Sequence, residues 1–104
     1  MNEWVAYTGD PDLQDGRVLS VNWRRESLEV EVEGGSGAQV LTLTFHQVAE
    51  VGTERPVGMQ IAGLSEVRSP EGSRGFIFLN WDDGDGRALE VWASSFSVKR
   101  RPKS

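Results

Sequence analysis

A chain of 104 residues, 38% hydrophobic and 26% charged, is long enough for one independently folded core and is too apolar for a disordered segment. The absence of cysteine excludes a disulfide framework and any thiolate metal site. Net charge is −5, but the last six residues, KRRPKS, carry +4, which leaves −9 on residues 1–98, and such an acidic body repels nucleic-acid phosphates.

The chain opens with MNEWVAYTGDPDLQDG, which has neither a basic start nor an apolar run. No window reaches the ~18–20 apolar residues of a membrane-spanning helix. A cytoplasmic location without membrane contact is therefore the expectation. Nine arginines against two lysines, with 12 glycines, point to a GC-rich bacterial coding sequence. Within the opening segment, Trp4 to Tyr7 is expected as an edge strand and TGDPDLQDG as the loop after it.

From Arg17 onward the dominant pattern is alternation with period two, broken by glycine- and aspartate-rich turns. RVLSVNWR (Arg17 to Arg24) places Leu19, Val21 and Trp23 on one face. SLEVEVE (Ser27 to Glu33) places Leu28, Val30 and Val32 on one face and Glu29, Glu31 and Glu33 on the other. VLTLTFHQV (Val40 to Val48) turns Leu41, Leu43 and Phe45 inward and Thr42, Thr44 and His46 outward. A one-residue slip would expose a whole apolar set, so the registers follow. Trp23 faces Leu28, Val21 faces Val30 and Leu19 faces Val32. In the next hairpin Val32, Val30 and Leu28 face Leu41, Leu43 and Phe45.

Residues 49–74 contain four glycines and two prolines, and short strands are expected near Val57 to Ile61 and Leu64 to Ser69. Gly75 to Trp81 and Arg87 to Ala93 supply two further strands, and Ser94 to Arg101 continues the second after a break. No segment has a helical period. These elements predict a single all-β domain over residues 1–104, with a basic C-terminal tail at 98–104. Its architecture is an antiparallel meander forming a β-sandwich or small barrel of six to eight strands.

Between the last two predicted strands lies NWDDGDGRALEVW, which superficially resembles a calcium loop. A helix–loop–helix calcium site needs ligands at positions 1, 3, 5 and 12 around a glycine at position 6. Placing Gly86 at the sixth position puts Trp81 first and Trp92 twelfth, and placing Gly84 there puts Leu79 first. Asp82 to Gly86 is therefore read as a five-residue hairpin loop, with no metal. Pairing across it sets Trp81, Leu79 and Ile77 opposite Arg87, Leu89 and Val91 on the core face. The other face receives Phe76 opposite Trp92 and Phe78 opposite Glu90. An exposed set of Phe76, Phe78 and Trp92 needs a cover: either the N-terminal strand, residues 49–74, a second copy or another protein. Stacked rings beside Asn80 and Glu90 would also suit a carbohydrate, so a carbohydrate-binding module and a self-associating structural protein are the alternatives.

Catalytic signatures are missing from the sequence. His46 is the sole histidine and falls on the outward threonine face, and no nucleophile elbow, phosphate loop or zinc-ligand pair is present. The spacing of Glu29, Glu31 and Glu33, about 6.5–7 Å between neighbours, falls in the range of a glycosidase pair. A solvated strand gives the same spacing without a cleft to raise either pKa. No enzymatic activity and no cofactor are expected.

The order D-G-R-V-L-S-V-N-W, then L-E-V-E-V, L-T-L-T-F-H-Q-V and L-E-V-W-A-S-S-F-S-V, resembles small bacterial all-β proteins, among them the immunity protein 50 family. That resemblance implies a binding role, the masking of a toxin, to which an acidic body brings complementarity for a basic nuclease target. Where the family pattern has a His-Asp pair before its first strand, this chain has Gln14-Asp15, and no functional residue is carried over. The expected partner is another protein or a copy of this chain. The candidate contacts are the acidic row Glu29, Glu31 and Glu33 and the aromatic set Phe76, Phe78 and Trp92.

Overall fold

Alternating sequence with almost no helix-forming period folds into strands throughout. A computed structural model describes residues 4–7 and 13–102; residues 8–12 of the expected first loop and the last two residues of the basic tail lie outside the described residues. The strands are β1 (Val5–Ala6), β2 (Arg17–Arg24), β3 (Ser27–Glu33), β4 (Gln39–His46), β5 (Glu50–Glu54), β6 (Ile61–Arg68), β7 (Arg74–Asn80), β8 (Ala88–Ala93) and β9 (Ser95–Pro102). They form two antiparallel sheets, one of five strands in the order β1-β6-β7-β8-β5 and one of four in the order β2-β3-β4-β9. The sheets pack as a sandwich, not a closed barrel. The nine strands among the described residues exceed the six to eight expected because β5 forms within an expected loop and β9 is a separate strand in the other sheet from β8, while the short strands expected near Val57 to Ile61 and Leu64 to Ser69 are the single strand β6. No helix among the described residues is long and apolar enough to cross a membrane.

The β2-β3-β4 meander follows its apolar periodicity. Trp23 pairs with Leu28 and Val21 with Val30, while Val32, Val30 and Leu28 pair with Leu41, Leu43 and Phe45, as the shared-face argument requires. The expected Leu19–Val32 pair is replaced by Val18–Val32, because a bulge between Val18 and Ser20 inserts an extra residue. The bulge turns Val18 into the core and leaves Leu19 exposed. Val18 is held there by backbone bonds to the segment before β6, with its amide donating to Met59 O and its carbonyl accepting from Gly58 N.

The hairpin β7–β8 departs from its expected register by one residue. Phe78 pairs with Leu89, Ile77 with Glu90, Phe76 with Val91 and Gly75 with Trp92. Asn80 causes the shift. Its Nδ2 donates to Arg87 O at 3.1 Å and to Asp85 Oδ1 at 2.6 Å, and its Oδ1 accepts from Asp82 N. Asn80 and Arg87 thereby close the loop, lengthening it by one residue to Trp81 through Gly86. A shift of one residue reverses a strand's faces. Phe76 and Phe78 are therefore core residues, 0% and 3% exposed, and not a surface.

Those two rings explain how the layers adhere. Phe45 of β4 and Phe96 of β9 meet Phe76 of β7 with centroids 5.4 and 5.1 Å apart, and Phe45 lies 6.1 Å from Phe78. Tilted and edge-on rings suit the quadrupole of each partner, and each buried phenylalanine stabilises the fold by about 1.5–3 kcal/mol. Tyr7, beside β1, joins the cluster through Phe96 at 5.6 Å.

The layers are joined at two sides. On one side β4 continues into β5 while β8 continues into β9, so one antiparallel ribbon bends across both sheets: β4 pairs with β9 and β5 with β8. At the bend Gln47 adopts φ +52°, Ala49 N donates to Trp92 O and Ser94 N donates to His46 O. On the other side Ile61 N donates to Gly16 O and Asp15 N donates to Ile61 O, linking the entry to β2 with the start of β6. β9 runs to Pro102, so Lys99, Arg100 and Arg101 belong to the four-stranded sheet.

Candidate functional site

The outer face of the four-stranded sheet is built from the polar halves of its alternating strands. Glu29 and Glu31 face outward there beside Thr42 and Thr44, but they do not form an open acidic row. Glu29 is paired with the Arg24 guanidinium. Glu31 accepts from Ser20 Oγ at 2.9 Å and from Arg101 Nη2 at 3.2 Å. Glu33 stands in the same row, and all three glutamates are half-buried. Pairs this exposed contribute about 0–1 kcal/mol each, yet they offset the charges of Glu29 and Glu31 as an electrostatic target. His46 faces outward with Thr44, as its position in the alternation requires, and its Nε2 lies 3.0 Å from Ser97 Oγ. A wide depression of about 610 Å³ beside it is lined by Arg24, Arg25, Glu26, Ser27, His46 and Gln47. Charges of both signs meet there without a convergent set of donors.

The aspartate loop is a turn. Asp83–Asp85 form one 3₁₀ turn; Asp82 caps it by accepting from Gly84 N at 2.9 Å, and Gly86 ends it at φ +73°. Asp85 accepts from Asn80 and from the Arg87 amide at 2.8 Å, and faces the Arg87 guanidinium at 3.5 Å. The Arg87 amide in particular holds the Asp85 carboxyl below the usual carboxylate range, aided by Asn80 and by the charges of Arg87 and Arg55. Carboxylates engaged in this way brace a hairpin. Among the described residues no three histidine or acidic side chains are placed to hold a metal ion.

The outer face of the five-stranded sheet is of another character. Its central strand presents Gly75, Ile77 and Leu79, with Trp81 just beyond its end. Neighbouring strands add Val67, Ser65, Gly63 and Ala6 on one side, and Trp92 and Glu90 on the other, so the apolar stripe runs along β7 itself with polar neighbours at Ile77. Leu79 and Trp81 are 42% and 53% exposed. Leu79 leans over Gly63, where a Cβ would lie 3.9 Å from its Cδ1. Trp92 alone of the expected aromatic set faces outward, and Trp4 packs against it with centroids 5.8 Å apart. An N-terminal cover thus exists, but it protects one end of the stripe and leaves the other open.

The acidic residues beside this stripe differ from those on the opposite sheet. Glu50 and Glu54 lie on the edge strand β5, opposite Trp92 and Ala88, both exposed and with no side-chain partner among the described residues. Residues 50–94 carry eight carboxylates and four arginines, a net −4, whereas residues 17–46 together with 95–102 carry six cations and four carboxylates, a net +2. The acidic excess therefore belongs to the layer whose outer face is apolar. Leu79 and Trp81 were hidden from sequence reading because the same shift that buried Phe76 and Phe78 turned them outward. Comparison with protein-family models, with curated proteins and with solved structures finds no match.

Proposed function

We propose that this protein is a non-catalytic protein-binding module, immunity-like in role, that engages its partner through the outer face of the five-stranded sheet. The asymmetry between the two outer faces carries this reading. One is polar and internally neutralised; the other is an apolar stripe, open at Leu79 and Trp81, within the acidic layer. Apolar side chains exposed together on a sheet are unfavourable in a free monomer and favourable at an interface. Unpaired carboxylates at the rim add little affinity, but they steer a basic partner and repel a second acidic copy.

The test is a pull-down from lysate of the source organism, with wild type, Leu79→Ser and Trp81→Ala as parallel baits. A partner retained by wild type and lost from both variants, at unchanged melting temperature, supports the assignment. A partner retained equally by all three places the interface elsewhere. A concentration-dependent mass in sedimentation, abolished by Leu79→Ser, would instead make the occupant a second copy.

A further inference from the structure

We propose that this protein forms a two-fold symmetric dimer in which β2 of one copy pairs antiparallel with β2 of a second, joining two four-stranded sheets into one of eight strands. The contact is a sheet edge, not the outer face of the five-stranded sheet, and it does not rest on the protein-binding reading.

The two sheets end in four edge strands, and three of them are guarded. β1 offers only two residues, β5 carries exposed Glu50 and Glu54, and β9 carries Lys99, Arg100 and Arg101. Short length and charge are the means by which an edge resists pairing. β2 has neither along Ser20, Val21, Asn22 and Trp23. Its bulge lies further back, where Met59 and Gly58 already occupy the edge through their bonds to Val18. The open lane therefore runs from Ser20 to Arg24 and stops at the turn Arg25-Glu26.

The backbone of this lane is self-complementary. The two-residue turn pairs Arg24 with Ser27, and the closing pair of such a hairpin exchanges backbone bonds. By alternation Asn22 and Ser20 also bond to β3, which leaves the N–H and C=O of Val21 and Trp23 on the free side. A two-fold axis at Asn22 sets Val21 of each copy opposite Trp23 of the other, so every one of these groups gains a partner. An axis at Val21 would set Trp23 against the bulge at Leu19, and one at Trp23 would set Val21 against the turn.

The side chains agree with that register. Trp23 is 57% exposed, more than any other large apolar side chain among the described residues, and it shares a face with half-buried Val21. In the dimer the indole covers Val21 of the second copy, an aromatic directly opposite a β-branched residue. On the other face Arg24 lands opposite Ser20 of the second copy, whose own ladder neighbour is Glu31. Opposite charges approach there, and Asn22 meets only itself.

The experiment combines sedimentation of the full chain with cysteine cross-linking, for which the cysteine-free sequence is a clean background. An edge this short buries less than the ~1,200 Å² of a standard interface, so half-dimerisation is expected on the order of 100 μM. Trp23→Ser should weaken association about tenfold or more, while Leu79→Ser leaves it unchanged. Oxidised Asn22→Cys should become a covalent dimer, because Cα atoms about 4.5 Å apart in a non-hydrogen-bonded pair suit a disulfide. Ser20→Cys and Arg24→Cys should each stay monomeric alone, with like positions about 13 Å apart along the strands, and should join each other when mixed. A wild type that remains monomeric at about ten times the expected midpoint overturns the proposal. So does equal self-cross-linking by all three cysteine variants. A dimer lost in Leu79→Ser and kept in Trp23→Ser would also overturn it, by moving the contact to the outer face of the other sheet.

Discussion

Asp85 shows how much one side chain organises. Its lowered pKa means that the folded state holds the ionised form more strongly than the unfolded chain does. The resulting stabilisation is present above the ordinary carboxylate range, near pH 4, and is lost as pH falls through the folded-state value. Wild type should therefore melt above Asp85→Asn at neutral pH, with the difference closing on acidification; a gap independent of pH would show that the carboxylate charge is irrelevant. Gly75 is the second residue with an outsized role. Alanine there meets Trp92 and the Val67 Cγ1, each at 2.9 Å from the new carbon, and should destabilise by about 1–3 kcal/mol, read by denaturant unfolding. The turn character of the aspartate loop was legible because aspartate and glycine are scarce in strands and abundant in tight turns. What Asn80 would do was not legible: an asparagine at a strand end is equally at home in the ladder or bonding back into the loop.

Elements were readable in proportion to the contrast between their two faces. β3 alternates leucine or valine with glutamate, so only one orientation is possible, and its pairing with β4 could be worked out residue by residue. β7 reads Phe76-Ile77-Phe78-Leu79, apolar on both faces, and periodicity alone could not choose between them. β2 has Val18 and Leu19 side by side, which left the bulge hidden. β5, EVGTE, has the composition of a loop and becomes a strand only because β8 is beside it. The two faces of β7 are separable by experiment. Phe78→Ala should cost about 3–5 kcal/mol through an unfilled core, whereas Leu79→Ala should stay within about 0.5 kcal/mol. A larger loss from Leu79→Ala than from Phe78→Ala would return β7 to the register the sequence suggested. The candidate site follows from the same ambiguity: Trp92 was assigned to the outer face correctly, while its companions on that face could be identified only once β7 was oriented.

At the scale of the molecule, the two sheets share chain at both sides and rings across the middle, so neither has a core of its own. Leu28, Leu43 and Phe45 from one layer and Phe76, Leu89 and Val91 from the other belong to a single buried cluster. Thermal unfolding should accordingly be one transition, with far-ultraviolet circular dichroism and tryptophan fluorescence superimposed. Separated midpoints would mean that the layers melt independently. All-β class and layered architecture were legible from strand count and turn spacing. The opposite charges of the layers were not, since they depend on which strands share a sheet: Lys99, Arg100 and Arg101 look like a tail in sequence and lie beside β4 in the fold.

The bent ribbon also has a temporal consequence. His46 pairs with Ser95, and Glu50 pairs with Trp92, partners separated by more than forty positions of chain. The hairpins β2–β3 and β7–β8 are local and can close within microseconds, but the ribbon must wait until the intervening chain has been gathered, at an entropic cost that no local contact repays. Refolding is then governed by that long closure and belongs on the millisecond-to-second scale of non-local β proteins. Until it is complete the β4 edge is bare, and nascent chains are most open to pairing with one another at Val40 to Phe45, the apolar strand that β9 later covers.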